Sequence, residues 1–175
     1  MKNLSIVCLT GLTFTAVLGT LLHFVYAWTN NIAFAPFSAV NESTWEHIKI
    51  LFFPMLIFAL VQAKFVAGKV TGFWQIKLYS ILFGILLLPV LFYTLGGVFG
   101  KTPDWVNISI FFLSAFLAYA LEYYLFKVGY SPKLPALVAI ITLAVIGLAF
   151  AIFTFLPPQI PLFKDPISGG YGIRK

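Results

Sequence analysis

The chain has 175 residues, 61% of them hydrophobic and 9% charged, and its mean hydropathy is +1.01. Water-soluble domains are about half apolar and about a quarter charged, so an ordinary soluble domain is excluded, and the length accommodates one domain. The net charge of +6 is scattered between apolar blocks with no basic face to follow a phosphate backbone, which argues against nucleic acid as a partner.

The lone cysteine, Cys8, lies in the first apolar block and reads as a small packing residue; no CxxC or CxxCH pattern offers a metal or haem site. A spanning helix needs about 20 apolar residues. Five blocks meet that need, at about 4–28, 43–61, 76–95, 104–126 and 134–156. The expected fold is an all-α, polytopic membrane helical bundle, a single transmembrane domain over 1–156 with a tail over 157–175 packed on the outer face.

The first block follows Lys2, and Val25–Ala27 resembles a signal-cleavage pattern. Its apolar run exceeds the 7–15 residues of a signal peptide's core, so it is expected to stay as a helix. Gly11, Thr15, Gly19 and His23 recur at four-residue spacing, the small-residue pattern of close helix contacts, which turns His23 toward protein. The connection after it is apolar for a loop. Phe34, Pro36 and Phe37 are expected in the interface or dipping into the bundle.

The second block opens with Ser43-x-x-Glu46, a capping-box pattern before an apolar run. Glu46 also suits the positive end of the helix dipole, and Lys49, three residues on, can pair with it on one face. Pro54 here and Pro89 in the third block are each expected to kink a helix, which bilayer helices tolerate. Asp104, preceded by Thr102 and Pro103, is the expected cap of the fourth block. In that block Ser114, Ala118 and Glu122 recur every fourth residue, so Glu122 should face neighbouring helices. It lies far along the bundle from the histidines. A structural ion pair with Lys64 or Lys77 is expected for it, with Tyr119 or Tyr123 as hydrogen-bond donors.

The tail begins with Pro157, Pro158 and Pro161, which favour an extended run. Its apolar Ile160, Leu162, Phe163 and Tyr171 are expected to fold back over the outer face, where Asp165 could close over a site. Lys2, Lys64, Lys69, Lys77, Lys127 and Lys133 fall on one side of the bundle. Lys101, Lys164, Arg174 and Lys175 fall on the other, and the 29–42 loop carries no Lys or Arg. The basic excess places the N-terminus in the cytoplasm and the C-terminus outside, in a multi-pass cell-membrane protein.

Caps and anchors account for Ser43, Glu46 and Lys49 but leave His47 over. His23 lies five residues before Trp28, about 7–8 Å inside the end of its helix. His47 lies four residues after Ser43, about 6 Å inside the facing end of the next. The only two histidines in the chain therefore fall at nearly the same depth. Ionisable groups in a bilayer normally face the bundle or a watery cavity. The candidate ligand-binding set is His23, Glu46 and His47, with Asn41, Glu42 and Lys49 around them.

Two histidines with a carboxylate can hold a divalent metal, with His23, His47 and Glu46 as ligands. They can equally transfer protons, or form a purely structural hydrogen-bonded cluster. The spacing matches neither HExxH nor ExxH. A metal-assisted hydrolase or transferase would use Glu46 as base, with His47 and His23 as ligands or acid. A binding protein for a small polar ligand, ion or headgroup is the leading reading. In a structural subunit the small-residue faces, including Gly147 and Ala151, would serve a second copy or another membrane protein. The absence of a detectable repeat weakens a transporter reading.

The stretch "FSAVNESTWEHIKILFFP", containing Phe-x-x-Val-Asn-Glu-Ser-x-Trp-Glu-His-x-Lys at 37–49, and the tail "PPQIPLFKDPISGGYG" at 157–172 resemble an uncharacterised family of small bacterial multi-pass membrane proteins. The resemblance spans most of the chain. It implies one shared architecture and brings no activity, substrate or cofactor.

Overall fold

A computed structural model describes residues 4–100 and 102–173 of the chain. Lys2, Lys101, Arg174 and Lys175, which entered the charge asymmetry, lie outside the described residues. Among the described residues the fold is all-helical, with five α-helices long and apolar enough to cross a membrane. They are α1 (Leu4–Thr29), α2 (Thr44–Val66), α3 (Phe73–Phe99), α4 (Asp104–Lys127) and α5 (Ala136–Phe155). Pro54 and Pro89 each sit inside an unbroken helix.

Helix α2 is the pillar of the bundle. It packs against α1, α3 and α5, and from Ile48 to Met55 every residue is buried. The buried residues of α1 are Leu4, Cys8, Gly11, Thr15 and Gly19, the small-residue stripe that the sequence singled out. A Cβ on Gly11 would lie 2.5 Å from the Phe58 ring, and one on Gly19 would lie 2.6 Å from the Phe111 ring. Glycine is what lets α1 approach α2 and α4 this closely. Lipid-sized apolar side chains such as Ile6, Leu9 and Val17 cover its opposite face, exposed.

The 29–42 connection is a structured cover. Ser38 Oγ donates to the Leu22 carbonyl at 2.5 Å and accepts from the Tyr26 amide at 2.9 Å, while Ala39 N also donates to Leu22 O. These bonds fasten the connection to the last turns of α1. Ala35, Ser38 and Ala39 are its buried residues, whereas Phe34 and Phe37 remain exposed.

The tail lies against the same end of the bundle. Phe163 is buried, its ring 4.5 Å from that of Trp45 and 5.7 Å from that of Phe153. Asn41 Nδ2 donates to Gly172 O at 2.9 Å, tying the tail to the 29–42 connection. Ile160, by contrast, is exposed.

One expectation needs correction. Asp104 is the first residue of α4; the N-cap is Pro103, whose ring carries no hydrogen-bond acceptor, and Thr102 Oγ1 instead donates to Asn107 Oδ1. The Asp165 carboxylate accepts from Ile167 N and Ser168 Oγ, so it organises a turn within the tail. Its position two residues before Ile167 suits that local Asx turn.

Candidate functional site

The facing ends of α1 and α2 carry the site. His23 stands one turn beyond Gly19 on α1, and the close packing of that stripe brings its ring beside α2. His47 is the fourth residue of α2. The ring centroids are 5.3 Å apart with planes inclined by 41°. The matched depth read from the sequence therefore corresponds to two rings side by side.

Glu42 lies against both of them. Its Oε1 is 3.5 Å from His23 Nε2, and its Oε2 is 3.6 Å from His47 Nε2. One ligand atom from each of the three residues can be chosen so that all lie within 4.8 Å of one another. The side chains are partly open, at 23% for His23, 29% for His47 and 42% for Glu42. His47 Nδ1 is 2.9 Å from the Ser43 carbonyl, which cannot donate, so Nδ1 carries a proton and, in the neutral ring, Nε2 presents a lone pair toward Glu42. Ring orientation by a backbone carbonyl is the usual support for a metal-binding imidazole.

The sequence placed Glu46, not Glu42, beside the histidines. Glu46 instead turns into the bundle, where its Oε2 accepts from Val40 N at 3.0 Å and meets Lys49 Nζ at 2.5 Å. Both members of that pair are buried. Lys49 Nζ also donates to Ala35 O at 2.9 Å and to Thr154 Oγ1 at 2.8 Å. The pair thus joins the 29–42 connection, α2 and α5 in one network. An interface anchor at the bilayer surface is not what Lys49 provides.

The capping box forms only in part. Ser43 Oγ accepts from Glu46 N at 3.4 Å, but Ser43 N donates to Asn41 Oδ1 at 2.8 Å in place of the glutamate. Asn41 therefore shapes the bend that carries Glu42, with its amide nitrogen held by the tail. Of the six candidate ligand residues, His23, Glu42 and His47 converge, while Glu46 and Lys49 pair beneath them and Asn41 braces the rim.

A second polar cluster lies deep among α1, α2, α3 and α4. Lys77 Nζ meets Glu122 Oε1 at 2.7 Å, Gln62 Nε2 donates to the same oxygen at 3.2 Å, and Cys8 Sγ lies 3.8 Å from it. Lys77 was one of two expected partners. The ammonium also sits 5.6–5.7 Å from the ring centres of Phe58, Phe73 and Tyr119, a favourable cation–π setting. Tyr119 bonds to Thr15 at 2.9 Å and not to Glu122. Glu122 Oε2 and Gln62 Oε1 are buried without a hydrogen-bond partner among the described residues. Gln62, Cys8 and Thr154 were not singled out as polar partners by sequence. Gln62 and Thr154 are isolated polar residues in apolar helices, and that isolation is the signal that could have marked them.

The chain belongs to a family of unknown function (DUF6512), whose family model matches residues 1–173. No curated protein and no solved structure matches it.

Proposed function

We propose that this membrane protein binds a divalent transition-metal ion of the zinc class through His23 Nε2, His47 Nε2 and the Glu42 carboxylate. The spacing of those atoms carries the reading. Charge-assisted N–H···O bonds run at about 2.7–2.9 Å, and the two His–Glu42 separations, 3.5 and 3.6 Å, are too long for that. Ligands about 2.0–2.1 Å from a tetrahedral zinc stand about 3.3 Å from one another. The two histidine–Glu42 separations are thus close to the spacing that a shared ion requires and off the spacing of direct hydrogen bonds, and one ligand atom from each of the three residues lies within 4.8 Å of the others. Two imidazoles and a carboxylate also suit zinc better than calcium or magnesium, which favour all-oxygen sites.

The site would face the outer leaflet, with the N-terminus in the cytoplasm and the C-terminus outside. Residues 1–156 would form the membrane unit and 157–175 its outer cover. The contact of Asn41 with Gly172 supports that division of labour. A metal-assisted hydrolase or transferase is the second reading, favoured by the count of three protein ligands, which leaves a coordination position for a substrate. Glu46 would not be its base, because Lys49 and Val40 N occupy that carboxylate.

Metal titration of the purified protein in detergent tests the proposal. One equivalent of Zn²⁺ should bind to wild type, with affinity sharply reduced in Glu42→Gln and in His47→Ala. Equal binding by wild type and both variants would dismiss the site. Zinc-dependent turnover of an ester or amide substrate would move the reading to the enzyme.

A further inference from the structure

The opposite end of the bundle has its own chemistry. Between the N-terminal turns of α1, the α2–α3 connection and the C-terminal end of α4 lies a cavity of about 470 Å³. Lys69, Lys127, Ser5 and Thr71 supply its polar wall, and Leu4 and Phe126 part of its apolar one. Lys127 Nζ stands 5.7 Å from the centre of the Tyr123 ring, which also lines the cavity.

The charge around it is one-sided. Of the five acidic residues in the chain, Glu42, Glu46 and Asp165 belong to the histidine end, and Asp104 opens α4 at its far end from the cavity. Glu122 is turned inward and paired with Lys77. Lys64, Lys69, Lys127 and Lys133 are exposed, and among the described residues none has an ion-pair partner. Two ammonium groups and two hydroxyls around one opening match the oxygens of a phosphate. Apolar walls beside that opening suit the start of an acyl chain.

We propose that this cavity binds the phosphate of an anionic phospholipid headgroup, with Lys69 and Lys127 as its charged contacts and Ser5 and Thr71 as hydroxyl donors. Basic pockets between membrane helices are suited to such headgroups. The proposal is independent of the metal site, which lies at the other end of α1 and α2.

Lipid retention in nanodiscs containing phosphatidylglycerol and phosphatidylcholine tests it. Wild type should retain phosphatidylglycerol in preference to phosphatidylcholine. Affinity should fall roughly fivefold for Lys69→Gln or Lys127→Gln, and roughly 25-fold for both together. The Lys64→Gln/Lys133→Gln double variant removes the same charge from the same end outside the cavity. It should retain lipid like wild type. Equal losses in the two doubles would overturn the pocket, since only diffuse attraction to the bilayer would then operate. Inorganic phosphate should not displace the lipid at millimolar concentration. Displacement, or saturable phosphate binding in pure phosphatidylcholine discs, would assign the cavity to free phosphate and overturn the lipid assignment.

Discussion

At one end of the bundle two carboxylates sit four residues apart, Glu42 in the bend before α2 and Glu46 in its first turn. Glu46 is 2% exposed, held by an ammonium and a backbone amide, and inseparable from the packing of the connection and α5. Glu42 is 42% exposed and stands beyond direct hydrogen-bond distance from either imidazole. Satisfied, buried charge fixes a fold, whereas loosely partnered charge at an opening is available to a ligand. The Lys77–Glu122 pair belongs with Glu46 by its burial and its direct 2.7 Å contact.

Breaking the buried pair should have the largest effect. Either Glu46→Gln or Lys49→Met leaves a buried group without its counter-charge and should lower stability by about 3–5 kcal/mol. Combining them should restore much of that loss, because apolar and neutral replacements remove the stranded charge. Unfolding in detergent micelles measures both; a single variant as stable as wild type would remove Glu46 from the structural side of the comparison.

Glu42→Gln should behave in the reverse manner. Stability without metal should stay within about 0.5 kcal/mol of wild type, as for a surface change. Zinc affinity should fall by about 100-fold or more, since loss of outer-shell partners alone weakens such sites by about 10–100-fold. An unfolding curve and a zinc titration on the same preparation give both numbers. Binding should also weaken as pH falls below neutrality, because protons compete with metal for the two imidazoles. It should be retained as pH rises toward about 8. Zinc isotherms at several pH values would show the sign, and tighter binding in acid would contradict imidazole ligation.

The smallest effect on zinc binding belongs to the rim. Asn41→Ala removes the amide bonds to Gly172 and to Ser43 N, each contributing about 0.5–1.5 kcal/mol. Faster protease cleavage of the tail, with zinc affinity lowered less than in Glu42→Gln, would separate bracing from ligation.

Much of the fold was legible because apolar runs set the helices and α1's four-residue stripe marked its buried face. Boundaries were less legible. Helix α2 continues to Val66, beyond the apolar run that ends near Val61, and α3 begins at Phe73, ahead of the apolar run that starts near Ile76. Hydrogen bonding carries a helix past the stretch that hydropathy marks as lipid-sized. His23 and His47 could be matched by depth, since both lie on regular helices with a fixed rise. Glu42 could not, because it sits in a bend where no helical period applies. Glu46 was misplaced for a related reason. Its helical position beside His47 was readable, but its inward rotation depends on Val40 N and on the fully buried Lys49, both set by tertiary packing.

X-ray absorption at the zinc edge of protein loaded with one equivalent tests the central claim most directly. The expected signal is a nitrogen and oxygen shell at about 2.0–2.1 Å with two imidazoles, falling to one in His23→Ala and unchanged in Glu46→Gln/Lys49→Met. Zinc bound with one imidazole or none in the wild type would contradict the His23–Glu42–His47 site.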